Sequence, residues 1–138
     1  MVLLRPVQDR NALLQRQQNI LAVAGLYQAG QPVDAQFARI EARVVDLASG
    51  DYVEGADAVR FDIPKVARDP QASAVVAADA DVARIHRRPL RMPVFLVRGD
   101  SGLETVILPM HGYGLWSTMY AYVALDGRGE RVKGVTFY

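Results

Sequence analysis

The chain contains no cysteine. That absence excludes disulfides, thiolate nucleophiles, zinc–thiolate sites and cysteine-ligated iron–sulfur clusters together. It leaves the compartment open, because cysteine-free chains suit oxidising and reducing surroundings alike. Histidine is nearly as scarce, with only His86 and His111. Neither stands at short, recurring spacing from other ligand types, so a zinc site of three or four ligands is not expected. Excess charge of one sign is also missing: 16 basic against 15 acidic residues leave a net +1, and lysine occurs only at Lys65 and Lys133. No electrostatic footprint for nucleic acid results. The longest charge-free apolar piece, Ile20–Tyr27, falls far short of the ~20 residues that span a bilayer. Met1–Leu4 is too short for the apolar region of a signal peptide. Gly-x-Ser-x-Gly, P-loop and Rossmann fingerprints are absent from the sequence.

What is present suits one globular domain. A length of 138 residues with 51% hydrophobic content allows roughly two-thirds of the unfolded surface to be buried. From Val7 to Tyr27 the positions Ala12, Leu13, Ile20, Leu21, Val23, Ala24 and Tyr27 follow helical spacing. Pro6 suits the first turn of that helix, and Gly30 its end. Asp34 reads as the N-cap of a second helix reaching about Glu41–Arg43, with Phe37, Ile40 and Val44 on one face. Arg43–Leu47 and Tyr52–Val53 form a weak hairpin pattern across Ala48–Asp51. Asp62–Arg68 reads as a short helix capped by Asp62 and ended by Asp69-Pro70. Gln71–Ala80 is rich in small residues, and Ala83–Arg88 suggests a further short turn.

From Leu90 onwards the pattern becomes strand-like. Met92–Val97, Glu104–Met110, Thr118–Leu125 and Val132–Tyr138 are separated by Gly99–Gly102 and Asp126–Gly129, both strong turn sequences. Helices first and an antiparallel meander after them define an α+β domain over residues 1–138, without internal repeats.

The segment between the second and third of these strands carries the most chemistry. Gly112 and Gly114 allow close approach or positive φ, and Trp116, the only tryptophan, offers a flat surface with one donor. Gly112, Gly114, Leu115, Trp116 and Ser117 therefore suit the wall of a planar ligand, with Ser117 and Thr118 as hydrogen-bonding partners. The same residues equally suit a wide loop whose tryptophan plugs the core. Arg84–Arg91 is the densest basic run, read either as a solvated loop or as a surface facing anions at ~1 kcal/mol per cation near an anionic membrane. His111, beside the glycine segment, reads as a surface histidine, with contact to a ligand edge as the alternative. Asp46, Asp51, Glu54, Asp57 and Asp62 are accounted for by caps, turns and exposure rather than by acid–base catalysis.

The run Gly102–Leu125, with Leu108-Pro-Met-His-Gly-Tyr-Gly-Leu-Trp-Ser-Thr-Met119 at its centre, resembles the FMN-carrying C subunit of the Na+-translocating NADH:quinone reductase. Val132–Tyr138, Leu4–Gln8 and Asn19–Gly25 are similar to the same family. The resemblance implies the N-terminal part of a periplasmic FMN-binding domain on the bacterial inner membrane, relaying electrons within a respiratory complex with other subunits as partners. It implies FMN near Gly112–Ser117, joined by a phosphoester to a threonine in a Ser/Thr-Gly-Ala-Thr-like motif. Thr105, Thr118 and Thr136 do not stand in that setting, and Ser101-Gly102 is followed by Leu103-Glu104 instead. It also implies a membrane helix just before the counterpart of Arg5-Pro6. Anchor and flavin attachment are thus expected outside this chain, which alone should be inactive and prone to self-association. The related flavoprotein subunit of ferredoxin-oxidising complexes and a cofactor-free interaction or assembly domain are the alternatives.

Overall fold

The computed structural model describes residues 5–138; the expectation for Met1–Leu4 lies outside them. The first helix, α1 (Arg5–Val23), carries Pro6 in its first turn and buries Ile20, Leu21 and Val23. It stops before Tyr27, and the terminator is Gly25 rather than Gly30. Gly25 adopts φ 74° while its amide donates to the Ala22 carbonyl at 3.1 Å and the Leu26 amide donates to Leu21 at 2.9 Å. A left-handed glycine with this bond pair satisfies the last carbonyls of a helix.

The second helix is shorter than its sequence suggests. α2 covers Val33–Phe37, and Asp34 lies within its first turn without making a side-chain cap. Its expected last residues, Glu41–Arg43, instead open strand β1 (Glu41–Asp46), which overlaps the strand read over Arg43–Leu47. Ala42 and Val44 sit opposite Phe95 and Pro93 of β4 (Arg91–Gly99), so a two-residue period governs here, and tertiary pairing overrides the helical reading. The weak hairpin is real: Val45 bridges to Tyr52, and Asp46 Oδ1 accepts the Ala48 amide at 2.9 Å. Helix α3 (Ile63–Arg68) begins as expected, with Asp62 accepting the Lys65 amide at 3.2 Å.

The small-residue segment contributes a ribbon that its sequence did not announce. β2 (Ser73–Val75) pairs antiparallel with β3 (Arg87–Pro89). Arg87 holds it by donating to Ser73 Oγ at 2.8 Å and to the Ser73 carbonyl at 3.1 Å. The meander follows the sequence closely: β5 (Gly102–Tyr113), β6 (Thr118–Asp126) and β7 (Val132–Phe137) continue from β4. All pairings are antiparallel, in the order β1-β4-β5-β6-β7.

One face of this sheet is covered. Val44, Phe95, Ile107, Tyr122 and Ala124 pack with Ile20, Leu21 and Phe37 of the helices. Phe95 lies at the centre, edge-on to Phe37 (6.1 Å) and Tyr122 (6.2 Å). The C-terminal end of α1 crosses β7 where Gly134 leaves room: a Cβ there would lie 3.3 Å from the Val23 carbonyl oxygen. The opposite face, at the β5–β7 end, bears Met110, Met119, Val135 and Phe137, each about half exposed or more. The α+β expectation therefore holds, with helices on one side of the sheet.

Candidate functional site

The β5–β6 hairpin positions all five predicted site residues. Its last pairs are Gly112 with Met119 and Tyr113 with Thr118. Beyond them the Gly114 amide donates to the Ser117 carbonyl at 2.8 Å, closing a four-residue turn. The segment is thus a tight hairpin tip and not a wide loop. Leu115 and Trp116 are 84% and 88% exposed, so the tryptophan does not plug the core.

Strand alternation separates the two sides of this tip. Met110 and Gly112 belong to the uncovered face, together with Met119, Val135 and Phe137; a shallow trough of about 370 Å³ runs among them and includes Gly114. His111 and Tyr113 point to the other side, which continues the core face past its packed region. The two glycines relieve crowding and do not serve backbone handedness, since neither has positive φ. A Cβ on Gly114 would stand 2.6 Å from the Met119 sulfur, and one on Gly112 would stand 3.2 Å from the Ala83 Cβ.

His111 is half-buried rather than a free surface histidine. It stacks on Tyr120 with ring centres 5.8 Å apart and planes 19° from parallel, and burial lowers its pKa. On this side of the hairpin lies an open cleft of about 600 Å³, bounded by α3, by residues 84–87 and by β5 and β6. The segment before it is tightly organised. Asp81 accepts the Ile85 amide at 2.8 Å and the His86 amide at 2.9 Å, while the Ala83 carbonyl accepts the Tyr113 amide at 2.8 Å. Arg84 lies over the Tyr113 ring at 5.1 Å. The basic run that reads as a solvated loop is therefore docked against the hairpin tip. Spacing alone gives no hint of this, because the docking uses a backbone carbonyl and a carboxylate from outside the run.

The acidic residues behave as caps and turn formers: Asp46, Asp57 and Asp62 each accept nearby backbone amides. Among the described residues no group of histidine and carboxylate side chains could hold a metal ion. No described helix is long and apolar enough to cross a membrane.

These features define an α+β domain whose meander is covered on one side and whose hairpin tip stands open and apolar on the other. No family model matches the sequence, but relatives match along nearly all of it. The chain is 45% identical over 141 residues to the C subunit of the Na(+)-translocating NADH-quinone reductase of Pseudomonas aeruginosa, covering 99% of this chain and 54% of that protein. It is 44% identical to the same subunit of Vibrio vulnificus and 45% identical to that of Yersinia pestis, over 98% of its length in both cases. The crystal structure of Shewanella oneidensis NqrC superposes with a TM-score of 0.83 at 31% identity, covering 94% of this chain and 60% of that one. The structure of the same subunit from Parabacteroides distasonis gives 0.67 at 25% identity, covering 98% and 57%. The chain belongs to the NqrC family, the C subunits of the Na+-translocating NADH-quinone reductases. It spans about half the length of the curated relatives it matches.

Proposed function

We propose that this chain supplies one wall of the flavin site in an FMN-carrying electron-transfer subunit, through Gly112, Gly114, Leu115, Trp116 and Ser117. The observation that carries the reading is a tryptophan left in solvent by the tip turn, two residues after Gly114, which lines the apolar trough with Gly112; Leu115, Trp116 and Ser117 do not line it. An indole 88% exposed gains little from its own fold and is available to lie against a flat ring. The trough fits such a ring chemically. Its Met110, Met119, Val135 and Phe137 side chains are apolar, and the glycines keep its edge low.

When bound, FMN supplies the one- and two-electron chemistry. The residues of this chain would bind and orient it: Trp116 in the tip turn and the trough side chains would exclude water from the ring, and the Ser117 hydroxyl of the same turn would offer a hydrogen bond. Thr105 is buried and accepts a hydrogen bond from Lys133 Nζ at 2.7 Å. Thr118 and Thr136 belong to paired strands. None stands in a Ser/Thr-Gly-Ala-Thr-like setting, so this chain contributes wall and not covalent anchor, and alone it does not transfer electrons. The whole protein is a subunit of a Na+-translocating NADH:quinone oxidoreductase. It is tethered by a membrane helix, and its soluble domain stands on the periplasmic side of the inner membrane.

FMN titration tests the assignment: saturable quenching of flavin fluorescence by this chain, lost in Trp116→Ala, is the expected outcome. Quenching that survives the substitution unchanged contradicts it. The reading also extends to self-association, supported by the half-exposed Met110, Met119, Val135 and Phe137 on one sheet face. Light scattering should give a mass that rises with concentration, and a monomer at every concentration rejects that part.

A further inference from the structure

On the side of the hairpin away from the apolar trough, we propose a second site: the cleft between α3, residues 84–87 and the β5–β6 tip binds a phosphate group. The inference does not rest on the flavin reading, because the guanidinium groups that carry it do not line the trough, although His111 and Tyr113 border both hollows.

Three guanidinium groups, Arg68, Arg84 and Arg87, line this cleft together with His86, His111 and Thr118; no carboxylate lines it. Among the described residues none of the three arginines has an ion pair with a carboxylate. Asp81 is the acidic group nearest in sequence, and its oxygens are engaged by the Ile85 and His86 amides, with His86 Nδ1 at 3.8 Å. In a chain with nearly balanced charge, so many uncompensated cations around one hollow are unexpected on chance alone.

Two of the cations are also held in place by neutral groups. Arg87 is fixed by Ser73, donating to its hydroxyl at 2.8 Å and its carbonyl at 3.1 Å. Arg84 rests on the Tyr113 ring. The backbone that presents them departs from the common regions, with φ 53° at Arg84 and φ 66° at His86. Such conformations persist only where the surroundings enforce them, and here Asp81 and the Ala83–Tyr113 bond do so. A rigid set of guanidinium forks loses little freedom on binding and matches the several oxygens of a phosphate, with the Thr118 hydroxyl as a further donor. The phosphate could be that of a soluble ester or of a phospholipid headgroup; both present the same oxyanion.

Titration of the isotope-labelled chain with inorganic phosphate at constant ionic strength, followed by amide NMR, tests the proposal. Saturable shifts concentrated at Arg84–Arg87 and Thr118 are expected. Arg68→Gln and Arg84→Gln should each weaken binding about tenfold, as loss of one charge-assisted bond does, with the remaining spectrum unmoved. Shifts reproduced by sodium chloride at equal ionic strength, or unaffected by both substitutions, overturn it. A second arm uses vesicles of equal parts phosphatidylcholine and phosphatidylglycerol. Sedimentation with them that Arg84→Gln abolishes assigns the site to lipid phosphate, and phosphate binding without sedimentation assigns it to a soluble ester. Absence of both kinds of binding refutes the site, whatever the flavin titration gives.

Discussion

The Gly114 amide and the Ser117 carbonyl meet at 2.8 Å, and that single bond sets the character of the hairpin tip. It draws the chain into a turn too tight to fold either intervening side chain inward. Leu115 and Trp116 project into solvent as a result. The tip therefore takes no part in the core.

Removal of the indole should accordingly leave stability almost unchanged. Trp116→Ala is expected to shift the free energy of unfolding by no more than about 0.5 kcal/mol, as at other exposed positions. A core tryptophan would instead cost about 3–5 kcal/mol. Urea denaturation distinguishes the two, and the larger value would mean that the indole packs inside.

A much larger loss is expected at the opposite end of β5. A Cβ on Gly127 would stand 1.9 Å from the Leu103 carbonyl oxygen, a backbone atom that cannot swing aside. Gly127→Ala should destabilise the fold by at least about 1–3 kcal/mol. Gly114→Ala meets only the flexible Met119 side chain at its shortest contacts and should cost less, although both are hairpin glycines. Equal midpoints for the two variants in denaturant would contradict this ordering.

His111 gives the fold a defined pH response. Burial lowers its pKa below the ordinary 6.5, so the unfolded chain takes up the proton first as pH falls. The contribution from neutral His111 is complete above the unfolded value and declines as pH falls below it towards the folded value. His111→Phe retains an aromatic ring against Tyr120 and should remove this component of the pH dependence. An unchanged slope of stability between about pH 5 and 7 in the variant would refute it.

The parts of the fold visible in sequence are those dictated by local chemistry. Asp62 as a cap, the turns at Gly99–Gly102 and Asp126–Gly129, and the four meander strands follow from turn residues and apolar alternation. The failures arise where tertiary contacts decide. Glu41–Arg43 reads as the end of a helix with Phe37, yet these residues open strand β1, where Ala42 pairs with Phe95, while Arg43–Asp46 agrees with the hairpin reading. Ser73–Val75 becomes a strand because Arg87 binds it, a partner 14 residues away that no local pattern reveals. Gly30 is the terminator expected, but α1 ends at Gly25, whose left-handed conformation and bond pair no local pattern announces. The place of Gly112–Ser117 between two strands is legible in the sequence, but its exposure is not. A Gly-x-Gly-Leu-Trp-Ser segment in a tight turn and the same segment in a wide loop have identical composition, and only the pairing of Tyr113 with Thr118 separates them.

The flavin-wall assignment is tested most directly by the emission of Trp116 itself, the only tryptophan in the chain. Titration of the chain with FMN should quench that emission saturably, and Gly114→Ala, which crowds Met119 at the trough, should weaken the binding. Indole emission that stays constant to saturating FMN, or falls only linearly as collisional quenching does, would contradict the assignment of Gly112–Ser117 as a flavin wall.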